Sequence, residues 1–327
     1  MEIGWRVPSY ARKWTKSAES RELVKYFTSV EEHDFKSLWV IDHLFVAPNV
    51  YSVAWQDPLI TLAAAAAVTE RIILGTAILC APMRHPVLTA KEVASIEHYS
   101  GGGRLILGVG TGHDENEFQS VGVSKRERGR RTDEALKVIR RLLSEDEVHH
   151  EGKYYPLERV SIYPRPEQQI PIWIGGGSQV HVVDNPDLPI MVPAVLERIA
   201  RHEGWICRSS GTSPEIVKRD VNAVVERIKQ KRSTKDFTVA HAQWLHIVES
   251  TNREIVIEEQ LKAYRGVMDT KRSDEDLQSA YLFGTIEEMI ERIRSIKGTG
   301  IEHLIINPLI EDPLQIKLFA NEIRPNL

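Results

Sequence analysis

The run Arg104-Leu105-Ile106-Leu107-Gly108-Val109 passes without interruption into Gly110-Thr111-Gly112. A short apolar stretch that ends on glycines reads as a buried strand leaving its sheet through a tight turn. Before it, the helical pattern Pro86–Tyr99 stops at Ser100-Gly101-Gly102-Gly103, where glycine supplies the positive φ of a helix C-terminus. After it, a long helical pattern covers roughly Arg126–Leu143. The same alternation extends in both directions. Further strands are expected at Met1–Val7, Ser37–Ile41, Ile72–Leu79, Ile170–Ile174, Gly204–Cys207, within Phe237–Val248 and at His303–Asn307. Helical patterns fall at Ser17–His33, from Asp57-Pro58 to Glu70, and at Val192–His202, Pro214–Lys231, Arg253–Val267, Ile286–Lys297 and Pro313–Ile323. Strands that alternate with helices pair in parallel, and eight such units fit a closed (β/α)8 TIM barrel, an α/β fold, with insertions in its βα loops. An open doubly wound sheet is disfavoured, because no Gly-x-Gly-x-x-Gly follows the first strand. The polar stretch Asp269–Leu277 reads as a surface loop, and residues 1–327 are expected to form one barrel domain.

Composition agrees with a soluble globular protein. Hydrophobic residues make up 42 % and charged residues 27 %, and the formal charge is −4, so no nucleic-acid partner is expected. Cys80 and Cys207, far apart in the chain, suit a reducing compartment better than a disulfide framework. No apolar run is long enough to span a bilayer, and the N-terminus lacks a signal pattern, so the expected location is cytoplasmic, away from membranes. There is no His-Glu-x-x-His or Cys-x-x-Cys, and no catalytic metal is expected.

Chemistry is expected at the C-terminal ends of the strands, where a barrel builds its active site. His43, closing the second strand, could hold a ring or move a proton; a histidine bonded within its loop is the plainer reading. Gly110-Thr111-Gly112-His113 lets a ligand approach the backbone closely, though such a turn also occurs without a ligand. Asn116 and Glu117 bring an amide and a carboxylate to the same mouth, or serve as solvated loop polarity. Gly175-Gly176-Gly177-Ser178, after the fifth strand, is a phosphate candidate or a simple strand exit. The cluster Lys125–Arg131 is either a salt-bridged helix face, with Glu127–Arg131 and Arg130–Glu134 as i,i+4 pairs, or an arm toward an anionic cofactor tail.

In order along the chain, these segments resemble the luciferase-like family, and most closely its branch that uses the deazaflavin F420. The resemblance rests on Ser37–His43, Asp57–Leu59, Ala67–Ala77, Arg84-His85-Pro86, Ser100–Leu105, Leu107–Gly112 and Asn116-Glu117-Phe118. It continues through Arg128–Ala135, Gly152–Tyr155, Pro164–Pro166, Pro171–Gly176, Gly284–Glu288 and Gly300–Leu304. It implies an F420-dependent hydride transfer to or from a small organic substrate, with His43 or His113 managing the proton. Asp42, His43, Thr111, Gly112 and Asn116 would contact the cofactor, and Gly175, Gly176, Gly177 and Ser178 would receive its phosphate. Similar proteins place a non-proline cis peptide under the ring, at the position of Ala77-Ile78. The resemblance also implies a homodimer and a flavin or F420 reductase as cofactor supplier. An FMN-dependent two-component monooxygenase is the alternative, and a cofactor-binding member without activity a third reading.

Three departures stand out. Phe45-Val46-Ala47 follow Asp42-His43 where some F420 enzymes carry a tryptophan. His113 occupies the position of a catalytic glutamate in sugar-phosphate relatives, which argues against a sugar-phosphate dehydrogenase. After Gly177, Val183–Pro189 intervenes before Gly204-Trp205.

Overall fold

The computed structural model describes residues 1–11, 17–46, 51–177, 191–207 and 212–327. Eight parallel strands run through β1 (Glu2–Arg6), β2 (Ser37–Val40), β3 (Ile73–Thr76), β4 (Leu105–Gly110), β5 (Ile172–Gly176), β6 (Gly204–Cys207), β7 (Thr238–Leu245) and β8 (His303–Pro308). Each pairs with its sequence neighbour, for example Ile172 with Leu107 between β5 and β4. Glu2 pairs with His303 between β1 and β8, which closes the ring. The fold is the expected (β/α)8 barrel.

Outside the ring, α1 (Ser17–Glu32), α2 (Pro58–Val68), α3 (Pro86–Tyr99), α4 (Glu115–Ser120), α5 (Arg128–Leu142), α6 (Pro193–Ile199), α7 (Pro214–Lys229), α8 (Arg253–Val267), α9 (Asp274–Ala280), α10 (Ile286–Lys297) and α11 (Leu314–Leu318) follow in chain order. Sequence sets their ends. Asp57 Oδ1 accepts from the N–H groups of Leu59 and Ile60 at 2.9 and 3.0 Å, and Pro58 opens α2. Thr285 and Glu288 form a reciprocal capping box on α10.

The segment expected to be a loop at Asp269–Leu277 is helical in its second half. Ser273 caps α9, three acidic residues suit the positive end of the helix dipole, and Leu277 and Ala280 bury into an aromatic cluster with Tyr264 and Tyr281. Its polarity concealed that short apolar face. Two short antiparallel pairs lie outside the ring: Tyr10–Ala11 pairs with Ala54–Trp55 in the βα loops, where insertions are expected, and Val148–His150 pairs with Leu157–Val160 ahead of β5.

Two kinds of core result. Outward-facing side chains such as Trp5 pack beneath the helices, with Phe35 and Phe319 at ring distances of 5.0 and 5.9 Å. Inside the barrel Trp39 and Trp173 lie 5.3 Å apart and pack with Ile206, Ala240, Ala242 and Ile305. Glycines make this possible. A Cβ on Gly4 or Gly75 would come within about 2.5 Å of Trp39, and one on Gly204 would lie 2.4 Å from Trp173. The Trp39 indole donates to Ser37 Oγ, which in turn meets His303 Nε2 at 2.7 Å, so the polar atoms at this level are paired.

Burial pushes both His303, in the lumen, and His241, on β7, down to about 4. The unfolded chain takes up these protons below about pH 6.5, the folded chain only near 4, so stability is lost as pH falls through that window. At pH 5 each histidine is expected to cost roughly 2 kcal/mol relative to neutral pH. Thermal melts at pH 7.5 and 5.0 should show a clear fall in Tm, smaller in His241→Gln. Identical slopes in the two proteins would remove His241 from the effect.

Candidate functional site

The C-terminal ends of β2, β3, β4 and β5 converge on one platform. Between Ala77 and Ile78 the peptide bond is cis, at the position the resemblance pointed to. The Ile78 side chain lies across two bare backbones. A Cβ added to Gly175 would meet Ile78 Cγ2 at 2.4 Å, and one on Gly110 would meet Ile78 Cδ1 at 2.6 Å. Gly112 has φ +69°, and a Cβ there would touch Phe118 and the Cys80 sulfur. Gly176 and Gly177, at φ 149° and 156°, occupy a region that other residues rarely enter. Trp205 Nε1 donates to the Gly176 carbonyl at 2.7 Å and fixes this exit from β5. The glycines at the ends of β4 and β5 therefore leave the room that the Ile78 side chain fills.

Asp42 and His43 close β2 but face different partners. Asp42, 2 % exposed, accepts from the Cys80 N–H at 2.9 Å and from Arg84 Nη2 at 3.0 Å. Arg84 Nη2 also meets Asp57 Oδ2 at 2.8 Å, so one guanidinium ties the end of β2 to the cap of α2. Those two carboxylates hold the Arg84 guanidinium charged, above its usual range despite its burial. Through these bonds Asp42 anchors the backbone just beyond the cis peptide.

His43 is buried, with Nδ1 3.1 Å from Glu117 Oε1. The same oxygen accepts from the Leu44 N–H at 2.8 Å. Tyr51 stands edge-on to the His43 ring at 4.8 Å, and exposed His113 lies 6.0 Å away. Among the described residues Nε2 of His43 has no hydrogen-bond partner. Glu117 sits on α4, whose N-terminus is capped by Asp114 accepting from the Asn116 and Glu117 N–H groups. That one-turn helix delivers Glu117, 1 % exposed, beneath His43 and leaves Asn116 exposed on the rim.

Thr111, Gly112 and Gly175–Gly177 are half-buried around the platform, whereas Ser178 and the segment Val183–Pro189 lie outside the described residues. Within the basic cluster, Arg131 pairs with Glu127 at 3.2 Å. Glu134 is turned instead to the Tyr154 and Tyr155 N–H groups. Among the described residues no group of His, Cys, Asp or Glu could hold a metal ion, and no helix is long and apolar enough to cross a membrane. A cavity of about 260 Å³ opens at the opposite end of the barrel, lined by Glu2, Lys36, Lys297 and others at the strand N-termini. It lies far from His43, on the face where barrels build stability.

Glu117 and Arg84 were visible in the sequence without their roles. Nothing local marks either: their partners lie 74 and 42 residues away. Glu117→Ala would leave two donors without an acceptor. It is expected to lower kcat/KM about tenfold to a hundredfold, by analogy with metal-binding imidazoles that lose their orienting partner. The pH profile should move as well; a lower Tm with an unchanged profile would make Glu117 purely structural.

A closed barrel with a bare platform and a flanking, carboxylate-oriented histidine at its C-terminal mouth defines a ligand-binding barrel of the enzyme type. Residues 1–183 match the model of the luciferase-like monooxygenase family, and the chain belongs to that family. An F420-dependent glucose-6-phosphate dehydrogenase of Kineococcus radiotolerans is 38 % identical over 58 % of this chain and 52 % of its own length, so the match spans about half of that relative. A protein of the same name from Microbacterium testaceum is 28 % identical over 94 % of this chain and 93 % of its own. Among solved structures, an F420-dependent secondary alcohol dehydrogenase in complex with an F420-acetone adduct superposes with a TM-score of 0.80. It is 20 % identical and covers 100 % of this chain and 99 % of that one.

Proposed function

We propose that this protein is an F420-dependent oxidoreductase that transfers a hydride to or from a small organic substrate. The observation that carries the reading is the platform: Ile78, half-buried after the Ala77 cis peptide and seated on Gly110 and Gly175, would be the floor for a tricyclic ring, with His43 following the neighbouring strand β2. The relatives' names favour F420 as the occupant. Ala77 and Ile78 would support the ring from below. Thr111, Gly112 and Asn116 would border it, and Gly175–Gly177 with Ser178 would take the phosphate of its side chain. When bound, F420 supplies or accepts the hydride.

The chain's own residues manage the rest. Glu117 accepts from Nδ1 of His43 and thereby fixes that nitrogen as the N–H side of the neutral ring. Nε2 is then the atom that takes or gives the substrate's proton, and His113 is placed to relay it toward solvent. The sugar phosphate in the relatives' names is not extended to this chain, because His113 stands where the resemblance places their glutamate. We further propose a cytoplasmic homodimer served by a separate cofactor reductase.

Parallel fluorescence titrations of the purified protein with F420 and with FMN test the assignment. Tight F420 binding with FMN ignored supports it. Preference for reduced FMN would make the protein a two-component monooxygenase, in keeping with the family's name, and O₂ consumption would follow. If neither binds, the cofactor reading fails. Substrate turnover with F420 would exclude a merely cofactor-binding role.

A further inference from the structure

Arg6, the last residue of β1, ends in the barrel mouth with 7 % of its surface exposed. One of its nitrogens, Nη2, donates to the Ala77 carbonyl at 2.9 Å, but Nε is buried and has no acceptor. No ion pair among the described residues includes it, although burial lowers its pKa only to about 10 and leaves it charged. The half-buried Arg84 and the buried Arg198 and Arg104 differ. Arg84 holds two carboxylates, Arg198 pairs with Asp133, and Arg104 reaches four backbone or hydroxyl oxygens around Thr69, Ile72 and Ser100. A buried cation without a counter-charge costs several kcal/mol. Holding one carbonyl does not account for that cost, since a neutral donor would serve.

A second unpartnered group lies beside it. Asn307 of β8 is 2 % exposed, and its Oδ1 is buried with no donor. Trp5 and Ile306 are register partners, so Arg6 and Asn307, one residue further on, sit at the same level of the mouth. Asn307 is in turn level with Trp244, whose ring lies 5.9 Å from the Arg6 guanidinium carbon. Tyr51, which packs against His43 and whose phenol is close enough to interact with Arg6, completes an aromatic wall.

We propose that Arg6 and Asn307 form a carboxylate-reading subsite beside the hydride-transfer position, so that the substrate is a small organic acid. Its carboxylate accepts from the free edge of Arg6, a hydroxyl or amino hydrogen next to the carboxylate is taken by Asn307 Oδ1, and its apolar body rests on Trp244 and Tyr51. This deepens the oxidoreductase reading and rests on it for the word substrate; the binding subsite itself does not require F420.

Calorimetric titration with mandelate, phenylacetate and mandelamide, with and without F420, tests the subsite. Mandelate is expected to bind at least tenfold more tightly than its neutral amide, with phenylacetate between them. Arg6→Met should abolish that preference. Asn307→Asp, which places a carboxylate next to Arg6 and keeps the cation, should abolish it too, and covers the case in which Arg6→Met does not fold. Equal binding of mandelate and mandelamide, no binding of mandelate, or an undiminished preference in Asn307→Asp would overturn the proposal. So would a tenfold loss of F420 affinity in Arg6→Met with mandelate binding intact, which would assign Arg6 to the cofactor. Mandelate binding through Arg6 in a protein that ignores F420 would sink the cofactor reading and leave the subsite standing.

Discussion

Replacing His43 by alanine is expected to cut turnover by at least ~10²-fold, the low end for a general acid–base group, or to cost a comparable factor in cofactor affinity. The expectation follows from how completely the ring is positioned. Its Nδ1 side is fixed by Glu117, its edge is fixed by Tyr51, and Nε2 alone is left without a partner among the described residues. An imidazole held only for packing would need no buried carboxylate beneath it. The variant should fold normally, because the platform and the Asp42–Arg84 tie do not depend on the ring. His43→Gln separates the two roles: it keeps a hydrogen-bonding group near Glu117 but cannot carry the proton. Wild-type kcat and cofactor affinity in His43→Ala would remove His43 from the mechanism altogether.

The barrel was legible because its signals are local. A β-rich run ending on glycine, as at Arg104–Gly112 and Ile170–Gly176, announces both the strand and the loop that follows, and eight β-rich runs alternating with helical patterns leave little choice of topology. What the sequence hid is what contact across the barrel creates. Gly4, Gly75 and Gly204 look like weak points in strands, yet each is the space into which Trp39 or Trp173 fits. Asp42 and His43 could be named from their place at the end of a strand. That Asp42 is bound to Arg84 while His43 turns to Glu117 depends on loops far apart in the chain. Arg6 is the extreme case. In sequence it is one charge at the end of a strand; only burial without a counter-ion among the described residues gives it meaning. The helix at Asp274–Ala280 was missed for the opposite reason, its apolar face being only two residues wide within a polar run.

The second large effect concerns the platform. A Cβ at Gly175 would stand 2.4 Å from Ile78 Cγ2, and the branched side chain of Gly175→Val would add volume on the same side. Ile78 cannot retreat toward Gly110, where its Cδ1 already occupies the place of a missing Cβ. It must rise into the space assigned to the ring. Overpacking of this kind costs about 1–3 kcal/mol, and strain relieved only when the ring is absent appears as lost affinity. Cofactor binding is therefore expected to weaken by roughly a hundredfold, the upper end of that range. Gly129→Ala is the control, because a Cβ there meets only the Arg198 guanidinium at an ordinary 3.6 Å. The decisive comparison is the double variant Ile78→Ala with Gly175→Val, in which the colliding side chain is gone. Recovery of at least about tenfold in affinity over Gly175→Val would show that the two residues act through one contact. Wild-type affinity in Gly175→Val alone, in a protein with native circular dichroism, would mean that the ring does not rest on Ile78.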